Sequence, residues 1–487
     1  QAGRGPKYTL KVVDMPEGST SGGPVVAAFI VPQGREHEFL FSTEDGLRQI
    51  AASASCARLL SVSLMRGHRF ESLAAVQAEI TPAIVEFSPE GVEGKIQVMT
   101  TADSLGNRNV VASGQLASGD EYFVEESEID GALVRRLVFA ANSSLIQTEV
   151  RLLRSQDTAR SGSPRVEGGG SGGSGGGGGK KKKNGSKNKK KDKAKGAVIV
   201  AAPAADEVAV DDTNGMLLDN SYLCFEYHRA IIAGLIMSNQ SSSYGGGGQA
   251  AGSGGNGPGA DLRQPAPAGM VLGLGGGALP MSLRHFFPHV SIVVTELDPS
   301  VVQVAKEWFG FRENQGRLAA QVGDGLEVDL GIDAQVFVVI DVDSKDNSVG
   351  MSCPPQAFLE NAFLLKIKAS LRAGGVLAVN VAARSTEMYR KSLSAVVNTF
   401  SDGKVYFLKA AEDDVNTVIF AVKGATSTFS VGQPKMPQSG GGKKKPAATV
   451  ASEVDLKGKI RGVLLEVSGQ SSDPLGLLEM IEGLKLA

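Results

Sequence analysis

Cysteine is scarce in this 487-residue chain: Cys56, Cys224 and Cys353 are the three, far apart and in no CxxC pair. That argues against a disulfide framework and a structural zinc site, so no metal is expected, and it fits a reducing compartment. No uninterrupted apolar run approaches the ~20 residues a membrane helix needs. The opening Gln-Ala-Gly-Arg-Gly-Pro does not read as a signal peptide, and a start at Gln1 rather than Met predicts an upstream part. The expectation is a soluble, cytoplasmic protein with no membrane partner. Positive charge is scarce outside one tract. Residues 180–195 hold ten Lys against one Asp, +9, so a net charge of −2 leaves −11 for the remainder. A nucleic-acid enzyme carries its positive charge on the folded face that meets phosphate. An acidic body suits a cationic partner such as an amine instead. Oligomeric state is left open by the sequence.

Apolar material is not lacking. Hydrophobic residues make up 42% of the chain, enough for real cores, and the length fits two domains plus linkers. Residues 1–154 read as a smaller α+β domain: strands over 8–13, 25–31 and 38–41, a helix over 46–56 feeding a strand over 59–64. A hairpin over 135–140 and 145–153 closes it. Residues 155–213 run through Gly/Ser, Lys and Ala/Asp-rich stretches, a linker composition, and 238–268 and 426–453 are similar. The last segment, 454–487, predicts two short amphipathic helices over 454–467 and 474–486. Between the tracts, 214–425 alternates strand and helix, which predicts a Rossmann-like α/β sheet with helices on both faces. Ligands bind such a sheet beyond the carboxyl ends of its strands.

The loop motifs of that region carry the chemistry. Val271-Leu272-Gly273-Leu274-Gly275-Gly276-Gly277-Ala278 ends the first strand and opens a helix; side chains are absent so that a ligand can lie against the turn. Gly273, Gly275 and Gly277 are the candidate contacts, although Gly273, Gly275 and Ala278 also satisfy a relaxed dinucleotide fingerprint. Glu296, ending the second strand, can accept both ribose hydroxyls of either NAD or S-adenosylmethionine. The third loop separates the two cofactors. In Val322-Gly323-Asp324-Gly325-Leu326-Glu327, Asp324 stands where a carboxylate accepts from an adenine amino group, with Gly325 beside it. Asp324 also reads as a helix N-cap with a Glu three positions on. The fourth strand ends in Asp341-Val342-Asp343-Ser344-Lys345-Asp346, where the reactive end of a cofactor would lie, and Gly374-Gly375 turns into the fifth strand. Together these predict a class I methyltransferase sheet using S-adenosylmethionine, with Asp341 and Asp343 as candidate catalytic residues. Asp343 and Asp346 read equally as loop caps or solvated charges, His228 reads as a packed helix histidine, and Cys353 as a loop-packing residue.

With these residues placed, the chain resembles the C-terminal half of the methyltransferase-like 13 family. The words that carry it are Leu272-Gly273-Leu274-Gly275-Gly276-Gly277, Asp341-Val342-Asp343-Ser344-Lys345-Asp346, Gly350-Met351-Ser352-Cys353-Pro354-Pro355 and Trp308-Phe309-Gly310-Phe311. In the first region Gly46-Leu47-Arg48-Gln49-Ile50-Ala51-Ala52-Ser53-Ala54 and Arg135-Arg136-Leu137-Val138-Phe139 add to it. The resemblance implies methylation of the N-terminal α-amine, or a lysine, of translation elongation factor 1-alpha, a protein partner. The domain is in turn similar to polyamine aminopropyltransferases such as spermidine synthase. By that comparison the hairpin and a helix over 222–235 form a lid, Gln147, Tyr227 and His228 overhang the cofactor, and Asp341 faces the acceptor amine. One departure is Gly276, which replaces the acidic residue of the synthase loop. Aminopropyl transfer is the enzymatic alternative, and a non-catalytic scaffold the third reading.

Overall fold

The computed structural model describes residues 6–16, 25–66, 68–88, 96–101, 105–129, 131–142, 145–153, 208–210, 216–219, 222–236, 267–314, 316–344, 350–383, 385–409, 415–424 and 485–486. The Lys tract, the insertion at 238–266, Lys345, Asp346 and the expected helix over 454–467 lie outside them.

Three sheets result. The first joins β1 (Tyr8–Asp14), β2 (Val26–Ile30), β3 (Arg58–Leu64) and β4 (Gln97–Met99) in the order β1-β3-β2-β4, with helices α1 (Phe39–Ser42), α2 (Glu44–Ser53) and α3 (Leu73–Glu86) between strands. A strand was expected over 38–41, and the structure has the short helix α1 there. Of its apolar residues only Phe41 is buried, while Phe39 and Leu40 stay exposed. Four residues are too few for a period to separate strand from helix. The second sheet is antiparallel through most of its width: β5 (Arg108–Gln115), β6 (Glu121–Ile129), β7 (Ala132–Phe139), β8 (Ile146–Leu153), then β10 (Leu217–Asp219) and β9 (Val208–Val210). The strand β9 lies inside the stretch read as linker.

The third sheet follows α4 (Glu226–Leu235). Its strands are β11 (Ala268–Leu272), β12 (Ser291–Glu296), β13 (Leu318–Val322), β14 (Gln335–Ile340), β15 (Met351–Cys353), β16 (Leu371–Ala383), β17 (Lys404–Lys409), β18 (Asn416–Val422) and β19 (Lys485–Leu486). Along the sheet the order is β13-β12-β11-β14-β16-β18-β17-β19, with β15 paired to β16. The first five are parallel and β18 is antiparallel to both its neighbours, which is the Rossmann-like class I methyltransferase sheet. The last two residues of the expected helix over 474–486 are thus a strand on β17. Helices α5 (Ala278–Phe286), α6 (Pro299–Trp308), α7 (Asn361–Ser370) and α8 (Thr386–Thr399) cover the sheet. Every residue of β14 is buried, as a central parallel strand covered on both faces requires. One core lies on the α4 and α5 side, around Ile231, Leu283 and Phe337, and the other on the α7 and α8 side, around Leu364, Ile367 and Val396.

The second sheet is anchored to this body through α6. Leu116, Val124, Leu137 and Val150 pack with Val301, Val304 and Phe309 in one apolar cluster. Asp298, the α6 N-cap, accepts from Ser300 N–H with Oδ1 and from the Ala117 N–H of the β5–β6 turn with Oδ2. Arg135, fully buried, donates to Trp308 O and Glu126. The hairpin β7–β8 is thereby held over the carboxyl ends of the parallel strands.

Candidate active site

The glycine loop turns directly out of β11. Gly273 has φ +96°, and a Cβ there would stand 2.0 Å from the Asp341 carbonyl oxygen. A Cβ at Gly276 would stand 2.4 Å from Thr148 Cγ2 on β8. At these two positions the missing side chains make room for the chain itself: the β14 end and the hairpin close directly onto the loop. Glu296, at the end of β12, accepts from the Leu274 N–H at 3.0 Å and from the Asp298 N–H at 3.0 Å. Its carboxylate is therefore oriented by the glycine loop, and the helix-capping role falls to Asp298. Asp324 is exposed and accepts from the Leu326 N–H at 2.9 Å. A turn follows it, so the expected helix N-cap is a turn cap; Asp324, followed by Gly325, is at the end of β13.

Asp341 is the centre of the polar cluster. Its backbone N–H bonds Leu272 O, which seats it beside the glycine loop. Asn380 Nδ2, from β16, donates to Asp341 Oδ1 at 2.9 Å. On the other oxygen converge Tyr227 OH at 3.5 Å and His228 Nε2 at 3.6 Å, both from the first turn of α4. Tyr227 and His228 are edge-to-face with ring centroids 4.5 Å apart, and Phe225 stacks on Tyr227. His228 Nδ1 and Asn380 Oδ1 are buried without a partner in the chain. Gln147 Nε2 donates to Asp343 Oδ2 at 3.2 Å, tying β8 to the loop after β14. The structure thus brings Gln147, Tyr227, His228, Asp341, Asp343 and the glycine loop together, with Glu296 bonded to the loop.

The hairpin and the entry to α4 are clamped from behind. Arg136 and Glu149, adjacent on β7 and β8, pair at 2.5 Å with both side chains about 5% exposed or less. Tyr222 OH donates to the other Glu149 oxygen at 2.8 Å, just ahead of α4, and Arg136 also reaches Gly34 O. Burial, with Glu149 adding to it, drives the Tyr222 and Cys224 groups well above their ordinary ranges, so both stay protonated. Cys353 is likewise buried, bonds Asn380 O, and is pushed up by burial and by Asp341 and Asp343, which leaves it no nucleophile. Asn380 escaped the reading of loop motifs, although a single Asn inside the apolar run Val376-Leu377-Ala378-Val379-Asn380-Val381 is the signal of a buried polar group with a job. Among the described residues no group of three or more His, Cys, Asp or Glu side chains is arranged to hold a metal ion. No described helix is long and apolar enough to cross a membrane.

No family model matches the chain. Among curated proteins it is 33% identical over 425 residues to a Homo sapiens protein named eEF1A lysine and N-terminal methyltransferase, covering 85% of this chain and 53% of that one. The Danio rerio protein of the same name is 31% identical over 490 residues, covering 99% of this chain and 60% of that one. The chain thus spans little more than half the length of these relatives. A crystal structure of human methyltransferase-like protein 13 in complex with SAH is similar to 50% of this chain and 93% of its own, with 28% identity and a TM-score of 0.37. The similarity to proteins named eEF1A lysine and N-terminal methyltransferase extends over most of the sequence.

Proposed function

We propose that the chain is an S-adenosylmethionine-dependent N-methyltransferase whose acceptor is the N-terminal α-amine, or a lysine, of translation elongation factor 1-alpha. The observation that carries the reading is the placement of Asp341. It ends the strand next to the glycine loop, is held on one oxygen by Asn380 and presents the other beneath Tyr227 and His228. The acceptor follows from similarity to proteins named for it. With that acceptor the chain would act in the cytoplasm.

The residues present suit the cofactor. Glu296 ends β12, Asp324 follows β13 and Asp341 follows β14, on both sides of β11 and its glycine loop, a set of acceptors for a ribose diol, an adenine amino group and a cation. The unpartnered His228 Nδ1 and Asn380 Oδ1 leave polar capacity in the site that the chain does not use. Glu296 and Asp324 would hold the nucleoside, with Gly273, Gly275, Gly277 and Gly325 keeping their loops low and Gln147 closing from the hairpin. Bound there, S-adenosylmethionine supplies a methyl group already activated for in-line displacement by its sulfonium.

What remains for the chain is to orient the amine and deliver it neutral. An α-amine has a pKa near ~7.7–8.0, so a sizeable neutral fraction exists near neutral pH. Asp341 accepts a hydrogen bond from the amine and takes charge of its proton, while Asn380 keeps the carboxylate from rotating away. Asp343, held by Gln147, adds negative potential at the mouth. Tyr227 and His228 roof the acceptor and exclude water. Aminopropyl transfer is disfavoured, because Thr148 fills the space above Gly276 that an acidic side chain of the synthase loop needs.

Incubating the chain with labelled S-adenosylmethionine and cell extract, then identifying the labelled protein, tests the reading. Label on elongation factor 1-alpha, abolished in Asp341→Asn, supports it; label on another protein or on small polyamines contradicts it.

A further inference from the structure

The first sheet contains a wound parallel unit of its own. β2, α2, β3, α3 and β4 form two successive crossovers between parallel strands, β2 with β3 and β2 with β4. The helices lie on opposite faces: α2 packs Leu47 and Ala51 on Ala27, Phe29 and Leu59, and α3 packs Val76, Ile80 and Ile84 on Ala28, Ile30 and Leu60. Taken in chain order, the parallel strands stand second-first-third. In an open sheet of that winding the chain leaves the first strand in one direction and returns on its other side. The two following loops diverge, and a crevice opens beyond the carboxyl ends of the first and third strands.

A cavity of about 960 Å³ occupies that place, a size that suits a small organic ligand. Gln33, three residues past β2, and Thr100, the residue after β4, both line it. Gln33 is 5% exposed and its Nε2 has no partner; the Thr100 hydroxyl is also buried without one. Native chains rarely leave buried donors unspent, and here two stand in the wall of one cavity. Arg69, in the loop after β3, lines the same cavity and is steered by a 3.0 Å bond to Asn109 Oδ1. Phe70 and Leu105 give it an apolar flank. The charged lining residues are Arg69, Arg108 and Glu71, a positive balance within an acidic chain. Arg108 is committed to Glu36 and Leu64 O, which leaves Arg69 as the cation that faces a ligand.

We infer that this crevice is a second binding site, separate from the methyl-transfer site, for a small organic oxyanion, a carboxylate or a phosphate ester. Arg69 takes the anionic group, the Gln33 amide and Thr100 hydroxyl turn out of the wall to donate to its oxygens, and the apolar part of the ligand lies on Phe70 and Leu105. The inference stands apart from the proposed methyltransferase activity.

Calorimetry on the full chain saturated with S-adenosylhomocysteine tests it, with citrate and L-glutamate as carboxylate probes and AMP and inorganic phosphate as phosphate probes. The expected result is one equivalent of at least one probe, weakened at least tenfold in Arg69→Gln and in Gln33→Leu while S-adenosylhomocysteine affinity stays unchanged. Which arm binds tells carboxylate from phosphate. Arg69 is exposed, so Arg69→Gln preserves the test if Gln33→Leu does not fold. Absence of binding by all four probes at millimolar concentration, binding undiminished in Arg69→Gln, or binding abolished by S-adenosylhomocysteine overturns the assignment.

Discussion

Replacing Asn380 by alanine separates the orientation of Asp341 from the binding of the cofactor. Asn380 is 3% exposed on β16 and donates to Asp341 Oδ1 at 2.9 Å. A hydrogen bond to a charged group contributes ~1.5–3 kcal/mol. If that contribution is realised in the transition state, its loss lowers turnover about 10- to 150-fold. No bond from Asn380 reaches Glu296 or Asp324, so S-adenosylhomocysteine affinity should stay within about threefold. The Cys353 thiol bonds the Asn380 backbone carbonyl, which the substitution leaves in place. The assay is steady-state methylation of an acceptor peptide, paired with calorimetry of S-adenosylhomocysteine and urea denaturation. Unchanged turnover would show that the carboxylate needs no such support. Turnover and cofactor affinity falling together would show that Asn380 only keeps the strand ends in shape.

Three further outcomes are expected. Glu296→Ala removes a carboxylate that two backbone N–H groups orient; at ~1.5–3 kcal/mol per charged hydrogen bond it should weaken S-adenosylhomocysteine binding at least tenfold by calorimetry. Tighter binding of NAD than of S-adenosylhomocysteine by the unaltered chain would overturn that assignment. Glu149→Ala strands the buried Arg136 and should cost about 3–5 kcal/mol in urea denaturation; a loss below about 1 kcal/mol would mean the pair is screened. His37 is pushed down to about 3 by burial, with Arg136, Arg35 and Arg66 adding to it. Its folded pKa lies below the unfolded ~6.5, so the stability it contributes is complete above that pH. That stability is lost as pH falls toward about 3, by up to ~1.4 kcal/mol per pH unit. Urea midpoints at about pH 7 and about pH 5 should differ less in His37→Gln; an identical slope would place the pH dependence elsewhere.

The main sheet was legible because its strands are short apolar runs punctuated by glycine and acid: Gln335–Ile340 is buried throughout and Ser291–Glu296 ends on the carboxylate it was read for. The loop glycines were legible as a tight turn, but what fills the space above Gly273 and Gly276 is the Asp341 carbonyl and Thr148, residues 68 positions ahead and 128 behind in the chain. The Arg136–Glu149–Tyr222 clamp was hidden for the same reason. Its members belong to separate strands and a loop, and no local pattern marks them. The winding of the first sheet turned on β4, three residues long, whose parallel pairing to β2 no periodicity reveals. Asn380 stood in plain sight within an apolar strand. Polar residues in buried strands carry as much information as acids in loops.

The central claim is transfer of methyl groups to an N-terminal amine, and mass spectrometry of one reaction tests it. The chain is incubated with S-adenosylmethionine and a glycine-starting peptide that copies the N-terminus of elongation factor 1-alpha. The account predicts addition of up to three methyl groups on the α-amine, since each methylated nitrogen can lose its remaining proton until it is quaternary, and a strong loss of rate in Asp341→Asn with S-adenosylhomocysteine affinity nearly intact. An unmodified α-amine beside methylated lysine would move the activity to the side chain, and an aminopropyl group transferred from decarboxylated cofactor to putrescine would contradict methyl transfer altogether.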